Sequence, residues 1–258
     1  MQKPVVIQSF HSTPWPRVIE TAMNSVASWA KMRNYNYILF GDEVMELLPS
    51  EYVIKCDGRV PMMIDLARLL AIRQLFEKGE EQVIWFDADV LIFSPQNFNV
   101  DAISEQVVGR EIWVSRTKTG NWKAYRHVHN AVLSFRRKTP LLDFLIFATE
   151  RVGSQLNTPA SPQLLGPKLF SHIHNLIKLP VWEEAGMLSP AVMSDILSEG
   201  GPALNCHVEK QIKPALAANL CYSLVNKTVD EIFVSEDFLS DVANQLLKSF
   251  SKSGLTYL

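Results

Sequence analysis

Apolar residues along this chain keep changing rhythm, and each change marks an element. Val5-Val6-Ile7-Gln8-Ser9-Phe10 is a β-branched run that predicts a buried first strand. Thr13-Pro14-Trp15-Pro16 breaks it and offers a helix start. Ile19, Met23, Val26, Trp29 and Ala30 then recur every three to four residues, which lays one apolar stripe along a helix. Residues 35–40 read as a second strand, ended by Gly41-Asp42. Strand, helix and strand at this spacing predict the βαβ unit of a parallel sheet. A second helix is expected over 63–78, with Leu66, Leu69, Leu70, Leu75 and Phe76 on its buried face and Gly79 as its stop. Residues 82–86 are apolar almost without interruption, as in a central strand covered on both faces. That strand runs straight into Asp87-Ala88-Asp89, and a second apolar run, Val90-Leu91-Ile92-Phe93, follows.

Farther along, residues 111–115 and 130–135 read as strands, and Thr139-Pro140 opens a helix with a capping side chain and proline at its first position. Residues 157–167 hold three prolines and a glycine and read as a loop. Residues 205–208 read as a short strand, and 237–250 as an amphipathic helix with Phe238, Val242, Leu246 and Phe250 on one face. There is no internal repeat, low-complexity tract or clear linker. The expected organisation is one α/β domain over 1–227 with a C-terminal helical extension over 228–258.

Composition narrows the function classes. With 47% hydrophobic and 20% charged residues in 258, the chain has material for a large core and is not a disordered polymer. A formal net charge of -2 gives no electrostatic case for nucleic acid. The three cysteines, Cys56, Cys206 and Cys221, make no CxxC pair and a poor disulfide framework, so buried reduced thiols and a cytoplasmic location are expected. No segment approaches the roughly 18 uninterrupted apolar residues of a spanning helix. No transmembrane segment is therefore expected, and a peripheral membrane contact stays open.

The candidate chemistry sits at Asp87 and Asp89. On an extended backbone, residues two apart point to the same side, so both carboxylates would face one point. They follow a buried strand, and open α/β sheets bind ligands beyond the carboxyl ends of their strands. Two converging carboxylates repel unless a proton or cation lies between them, and hard oxygen ligands suit Mn²⁺ or Mg²⁺. The bland alternative is a pair of acids ending a strand in solvent. Their place between two core-like apolar runs argues against it, since buried acids are costly unless paired or metal-bound.

The segment Val83-Ile84-Trp85-Phe86-Asp87-Ala88-Asp89-Val90-Leu91 resembles the DXD strand of GT-A glycosyltransferases, above all the glycogenin-like and bacterial lipopolysaccharide galactosyltransferase group. Yeast outer-chain mannosyltransferases have a similar strand. The resemblance implies a single GT-A domain, Rossmann-like, with a mixed, mainly parallel central sheet. It also implies that Asp87, with Ala88 beside it, faces the ribose and sugar of the donor as well as the metal, and that Asp89 binds the metal bridging the diphosphate. Asp65-Leu66-Ala67-Arg68 resembles the Asp-x-x-Arg of the preceding helix in these families, where the basic residue approaches the donor sugar and the acidic cluster. An exposed ion pair three residues apart would explain the same pattern more plainly.

His207-Val208-Glu209-Lys210-Gln211-Ile212-Lys213-Pro214 resembles the glycogenin-like His-x-x-Gly-x-x-Lys-Pro-Trp segment, with Lys210 where that family has Gly and Ala215 where it has Trp. The likeness implies His207 as a third metal ligand and Lys213 as a diphosphate contact. His129-Asn130-Ala131-Val132 resembles the strand that faces the sugar and acceptor, and Ser161 to Pro167 a Thr-Gly-Pro loop near the acceptor, which would bring Gln163 toward the anomeric carbon. The first strand, with Gln8, Ser9 and Phe10, resembles the place where these folds receive uracil and ribose. The expectation is a hexosyltransferase that uses a UDP-sugar and Mn²⁺ or Mg²⁺, retains anomeric configuration, and has an unidentified acceptor: glycan, lipid-linked glycan, protein or small molecule. Asp87, Asp89, Arg68 and Gln163 are its expected catalytic residues.

Two rival classes use similar signals. A haloacid-dehalogenase-like phosphatase also places Asp-x-Asp after an apolar strand, but that family continues with Gly-Thr and a later Gly-Asp-x-x-x-Asp. Here Val90-Leu91 follows, and Gly41-Asp42 lies upstream. A nucleotidyltransferase would need a Gly-rich N-terminal loop that is missing. The non-enzyme rival is a GT-A fold kept as a binding or scaffold module, docking through its C-terminal helix, although packing of that helix on its own domain explains the stripe more simply.

Overall fold

The computed structural model describes residues 2–11, 13–100, 104–155, 161 and 163–252. The first half runs β1 (Val5–Ser9), α1 (Arg17–Met32), β2 (Asn36–Phe40), α2 (Ser50–Cys56), α3 (Val60–Glu77), β3 (Gln82–Phe86), β4 (Val90–Ile92), β5 (Gln106–Arg116) and β6 (Trp122–Arg136). The second half runs α4 (Pro140–Ser154), α5 (Leu169–Ile177), β7 (Val181–Trp182), β8 (Ala185–Met187), α6 (Pro190–Leu197), α7 (Pro202–Val208), β9 (Ala217–Asn219), β10 (Lys227–Val229), β11 (Ile232–Val234) and α8 (Glu236–Lys252).

The main sheet has six strands in the order β2-β1-β3-β6-β5-β7. β1 lies parallel to both β2 and β3, β6 runs antiparallel to β3 and to β5, and β7 is parallel to β5. This is the mixed α/β sheet the βαβ pattern predicts, with β6 as the reversed strand. β3 shows why the run 82–86 is apolar throughout. Val83 and Trp85 enter the core beneath α3 and α4, and Ile84 and Phe86 enter the opposite core with Trp29 of α1 and Phe98. Both faces are covered, so both must be apolar.

The helices follow the same logic. α1 buries Val18, Ile19, Ala22, Met23, Val26, Trp29 and Ala30, the face the spacing predicts. Trp29 also donates its indole N–H to the Phe98 carbonyl at 2.9 Å, which ties the segment after β4 onto the helix. α3 starts three residues earlier than expected and is buried on nearly every side. Each fully buried Leu, Ile or Met there contributes about 1.5–3 kcal/mol relative to exposure. At α4, the Thr139 hydroxyl accepts from the Leu141 amide at 3.3 Å, with Pro140 in the first turn, as the capping signal implies.

Three elements depart from expectation. β5 and β6 form one long antiparallel ribbon joined through the turn around Gly120, far beyond the short strands at 111–115 and 130–135. Its outer half carries Arg116, Lys123, Arg126 and His127 and so lacks an apolar run; cross-strand pairing makes it a sheet. Residues 205–208 are helical rather than extended: α7 starts with Pro202 in its first turn, and the Asp195 carboxylate accepts from the amides of Ala203 and Leu204 at 2.7 and 2.9 Å. A carboxylate brought from α6 thus supplies a cap that no local signal announces. α8 covers the expected amphipathic segment and buries Leu239, Val242, Ala243 and Leu246 in the same core as Val18, Leu91 and Val192. The side chain of Phe250 and the loop residues 157–160 lie outside the described residues. No helix among the described residues is long and apolar enough to cross a membrane. All three cysteines are free, with Cys56 and Cys221 buried.

Candidate functional site

Asp87-Ala88-Asp89 is a turn between β3 and β4, not the continuation of a strand. The Val90 amide donates to the Asp87 carbonyl at 3.1 Å and closes it, and Ala131 on β6 receives the Asp87 amide at 2.7 Å. Ala88 points inward, 7% exposed, into the core with Leu91 and Val192. The small inward residue leaves the two flanking carboxylates on the outer side of the turn. The extended-backbone argument for convergence is therefore replaced by a turn geometry, which anchors each acid from a different side.

Asp87 is held from the α3 side. Its Oδ1 accepts the Trp85 indole N–H at 2.6 Å and lies 3.0 Å from Arg68 Nη1, and its Oδ2 lies 3.3 Å from the same nitrogen. Arg68 is 3% exposed and fully engaged: Nη1 donates to the Asn130 carbonyl at 2.7 Å, Nε to the Ile64 carbonyl at 3.2 Å, and Nη2 pairs with Asp65 at 3.2 Å. Asp65 in turn accepts from the Asn130 amide nitrogen at 2.7 Å. Asp65 and Arg68 are thus no exposed ion pair but a buried brace running from α3 to β6 and the turn, with Arg68 against the acidic cluster. Gly166 closes over it, since a methyl group there would collide with the Asp65 carboxylate and the Asn130 amide.

Asp89 is held from the β9 side. Its Oδ1 accepts from Asn219 Nδ2 at 2.6 Å and its Oδ2 from the Tyr222 amide at 2.8 Å, while its carbonyl receives the Leu220 amide at 3.0 Å. Neither Asn219 nor Tyr222 is among the residues the sequence singles out. The available signal was a polar Asn embedded in the apolar run Ala217-Ala218-Asn219-Leu220. The Trp85 indole was likewise missed, because a Trp in a core strand reads as packing alone.

The electrostatics are those of a site short of positive charge. Burial pushes Asp89 up to about 6, and the charge of Asp87 adds to the rise against the hydrogen bonds from Tyr222 and Asn219. Burial likewise pushes Asp65 up to about 6, with Arg68 and Asn130 opposing it. Asp87 is raised as well, burial outweighing Arg68 and the indole. Arg68 pairs with Asp65 and Asp87, while Asp89 beside them has no cationic partner among the described residues, and a divalent cation would offset the excess of negative charge. All the donors are hard oxygens, and two carboxylates plus diphosphate oxygens and water form a normal shell for Mg²⁺ or Mn²⁺. Among the described residues no group of three or more His, Cys, Asp or Glu is placed to hold a metal ion, so any ion here would rest on Asp87 and Asp89.

His207 does not join the acidic pair. It is 2% exposed on α7, and its Nδ1 lies 3.1 Å from the Ile112 carbonyl of β5. Helix formation over 202–208 turns it toward the ribbon, away from the role its spacing implied. Burial pushes its pKa down to about 4. The unfolded chain, with an ordinary His near 6.5, takes up the proton first, so this contribution to stability is lost as pH falls from about 6.5 to 4. We expect His207→Gln to show less acid destabilisation than wild type in urea titrations across that range, and to respond to added Mn²⁺ as wild type does; a metal response lost in the variant alone would restore His207 as a ligand.

The remaining expected residues fall in three places. Gln8 is fully buried, donating to the Asp87 carbonyl at 3.2 Å and accepting from the Tyr37 hydroxyl at 3.0 Å, so it braces the turn from within. Ser9 ends β1 and Phe10 follows it, both half-buried, and the Phe10 ring meets Tyr222 edge-on at 6.2 Å, beside the anchor of Asp89. Asn130 is 3% exposed within the brace. Gln163 is exposed just before a short, kinked helical turn, Leu164–Lys168, which carries Gly166 and replaces the end of the expected 157–167 loop. Lys213 is exposed and pairs with Glu184 at 2.7 Å. A shallow cavity of about 310 Å³ beside Tyr52, Phe147 and Arg151 shares no residue with the acidic cluster.

No protein-family model matches the chain, and no curated protein matches it by sequence. Among solved structures it is similar to a glycosyltransferase involved in the glycosylation of the major capsid of PBCV-1, at 14% identity over 94% of this chain and 98% of that one, with a TM-score of 0.51. Looser overlaps are found with A197 from STIV (12% identity, 58% of this chain and 78% of that one, TM-score 0.28) and with 4-diphosphocytidyl-2C-methyl-D-erythritol synthase from Anaerococcus prevotii (8% identity, 69% and 88%, TM-score 0.32). The first overlap spans nearly the whole of both chains, and the fold they share is a single GT-A-like α/β domain with a mixed central sheet.

Proposed function

We propose that this chain is a metal-dependent glycosyltransferase that takes a hexose from a nucleotide-sugar donor, a UDP-sugar foremost. The observation that carries the reading is the Asp87-Ala88-Asp89 turn at the carboxyl end of β3, with one acid braced by Arg68 and the other by Asn219 and the Tyr222 amide. Asp87 and Asp89 would hold Mn²⁺ or Mg²⁺, which supplies Lewis-acid stabilisation of a departing diphosphate when bound. The chain's own part is preorganisation: hydrogen bonds fix both carboxylates before any ligand arrives, so little reorganisation accompanies the reaction. Arg68 is spent on Asp65, Asp87 and two carbonyls, and its contribution is to orient Asp87. Phe10 and the Tyr222 ring, near Asp89, offer aromatic surface for the nucleotide base. The paired, exposed Lys213 is a weaker candidate for the diphosphate. Retention of anomeric configuration goes with the likeness of the β3 segment to retaining families, and the acceptor is open.

Thermal melting with UDP-glucose and UDP-galactose, each with and without Mn²⁺, tests the donor reading. A rise in Tm that needs both sugar nucleotide and metal is expected, because a ligand that binds only the folded state stabilises it. No rise with any nucleotide sugar would overturn it. Metal-dependent hydrolysis of the donor separates an enzyme from a binding module of the same fold.

A further inference from the structure

β6 leads outward from the acidic cluster. Asn130 and Ala131 on it touch Asp65 and Asp87, and the strand then runs back through His127, Tyr125 and Lys123 to the turn around Gly120. Across the ribbon Glu111 lies opposite His127, Trp113 opposite Tyr125, and Ser115 opposite Lys123. Side chains alternate faces along a strand, so these six share one side of the ribbon. The other side carries Val114 and Ala124 into the core with Leu204 of α7. One face is therefore packed and the other open. On the open face Tyr125 is 38% exposed, Lys123 and His127 are exposed, and Trp113 and Glu111 are half-buried. The Lys123 ammonium sits 5.0 Å from the centre of the Tyr125 ring.

Glu111 is the unusual member. Among the described residues it has no hydrogen-bond or ion-pair partner, yet much of it is removed from water, which pushes its carboxyl up to about 7. Its oxygens are not among the buried side-chain atoms that lack a partner, so the carboxylate reaches solvent and is open to a ligand's hydroxyl groups. Two neighbouring aromatic rings add flat, electron-rich surface, which suits the C–H faces of a sugar ring, while a carboxylate accepts sugar hydroxyls. The face is also at a fitting distance. His127, opposite Glu111, is four residues from Ala131, about 13 Å along the strand at ~3.3 Å per residue.

The geometry points to the open face of the β5–β6 ribbon, built on Glu111, Trp113 and Tyr125, as a subsite for an acceptor glycan whose reacting end reaches the Asp87–Asp89 turn. The assignment rests on the transferase reading for the word acceptor, while glycan binding itself does not. Continuity with the cluster through β6, and a carboxylate beside the cross-strand pair of Trp113 and Tyr125, favour a sugar chain over a protein partner.

The test uses the full chain on a printed array of hexose oligosaccharides, in the presence of UDP and Mn²⁺. Wild type is expected to be retained by a subset of glycans, and Trp113→Ala, Tyr125→Ala and Glu111→Gln each to weaken that retention about tenfold, a loss of about 1.4 kcal/mol. Phe233→Ala, at an exposed position on β11, serves as the surface control. Glu111→Gln preserves shape, so the test survives if removal of an aromatic side chain perturbs folding. No glycan retained by wild type, or equal retention by all variants, overturns the subsite. Failure of the donor reading would appear separately, as no nucleotide-sugar effect on wild-type Tm while ribbon-dependent glycan retention persists.

Discussion

Arg68→Met is expected to cost the folded chain about 3–5 kcal/mol, the scale for breaking a buried ion pair from one side. The guanidinium and Asp65 are 4% and 5% exposed, and Asp65 and Asp87 both lean on it. Its removal leaves two carboxylates facing each other's charge and takes the guanidinium donor away from the Asn130 carbonyl. Since a domain's whole stability is roughly 5–15 kcal/mol, a large drop in urea midpoint with little change in m would follow. Arg68→Lys should recover only part of the loss, because one ammonium cannot reproduce a planar fork spanning four acceptors. The deficit should also depend on pH. Asp65 and Asp87 already titrate above the usual carboxylate range, and losing Arg68 raises them further. Carboxyls raised in the folded state favour it at low pH, and that advantage is lost as pH rises through their folded values. The variant should therefore sit closer to wild type at pH 4 than at pH 8. An equal deficit at both would mean that shape, not charge, is what Arg68 supplies.

The second large effect is on turnover. Asp89→Ala is expected to lower metal-dependent donor hydrolysis by about a hundredfold or more, the scale on which one preorganised charge-stabilising contact acts. The fold should lose far less. The Tyr222 amide and Asn219 amide nitrogen lose their acceptor, a cost of about 1–3 kcal/mol, while a buried carboxylate that burial and then the charge of Asp87 push up to about 6 is removed, and its repulsion with Asp87 goes with it. Activity lost with the melting transition nearly intact would separate a metal ligand from a structural turn residue. Wild-type hydrolysis in the variant would end the case for Asp89 as a ligand.

Much of the architecture was open to a reader of the chain, for a local reason. β1, α1, β2 and β3 alternate strand and helix periodicities, and periodicity is written in neighbouring residues. The buried polar brace was half visible: Asp65 and Arg68 stood out by spacing, but nothing local told a surface pair from a buried one. The outer ribbon was invisible because its polar, exposed positions carry no apolar rhythm and its order comes from pairing across the turn. The reading of 205–208 as a strand failed because the cap of α7 is an Asp195 carboxylate from another helix. His207 kept the right spacing and still went elsewhere, since a helix and a strand aim the same residue differently.

Linear pattern alone was thus sufficient for the fold class and for singling out the two acids after β3 as candidates, since an acid between two apolar runs betrays itself by the cost of burying it. Folding alone decided how those acids are held. The partners of Asp89, Asn219 and Tyr222, lie 130 and 133 residues away, and the carbonyl that fastens Arg68 lies 62 residues away. A hydrogen bond needs its atoms within about 3 Å, and over such separations only the packed sheet and helices bring them there.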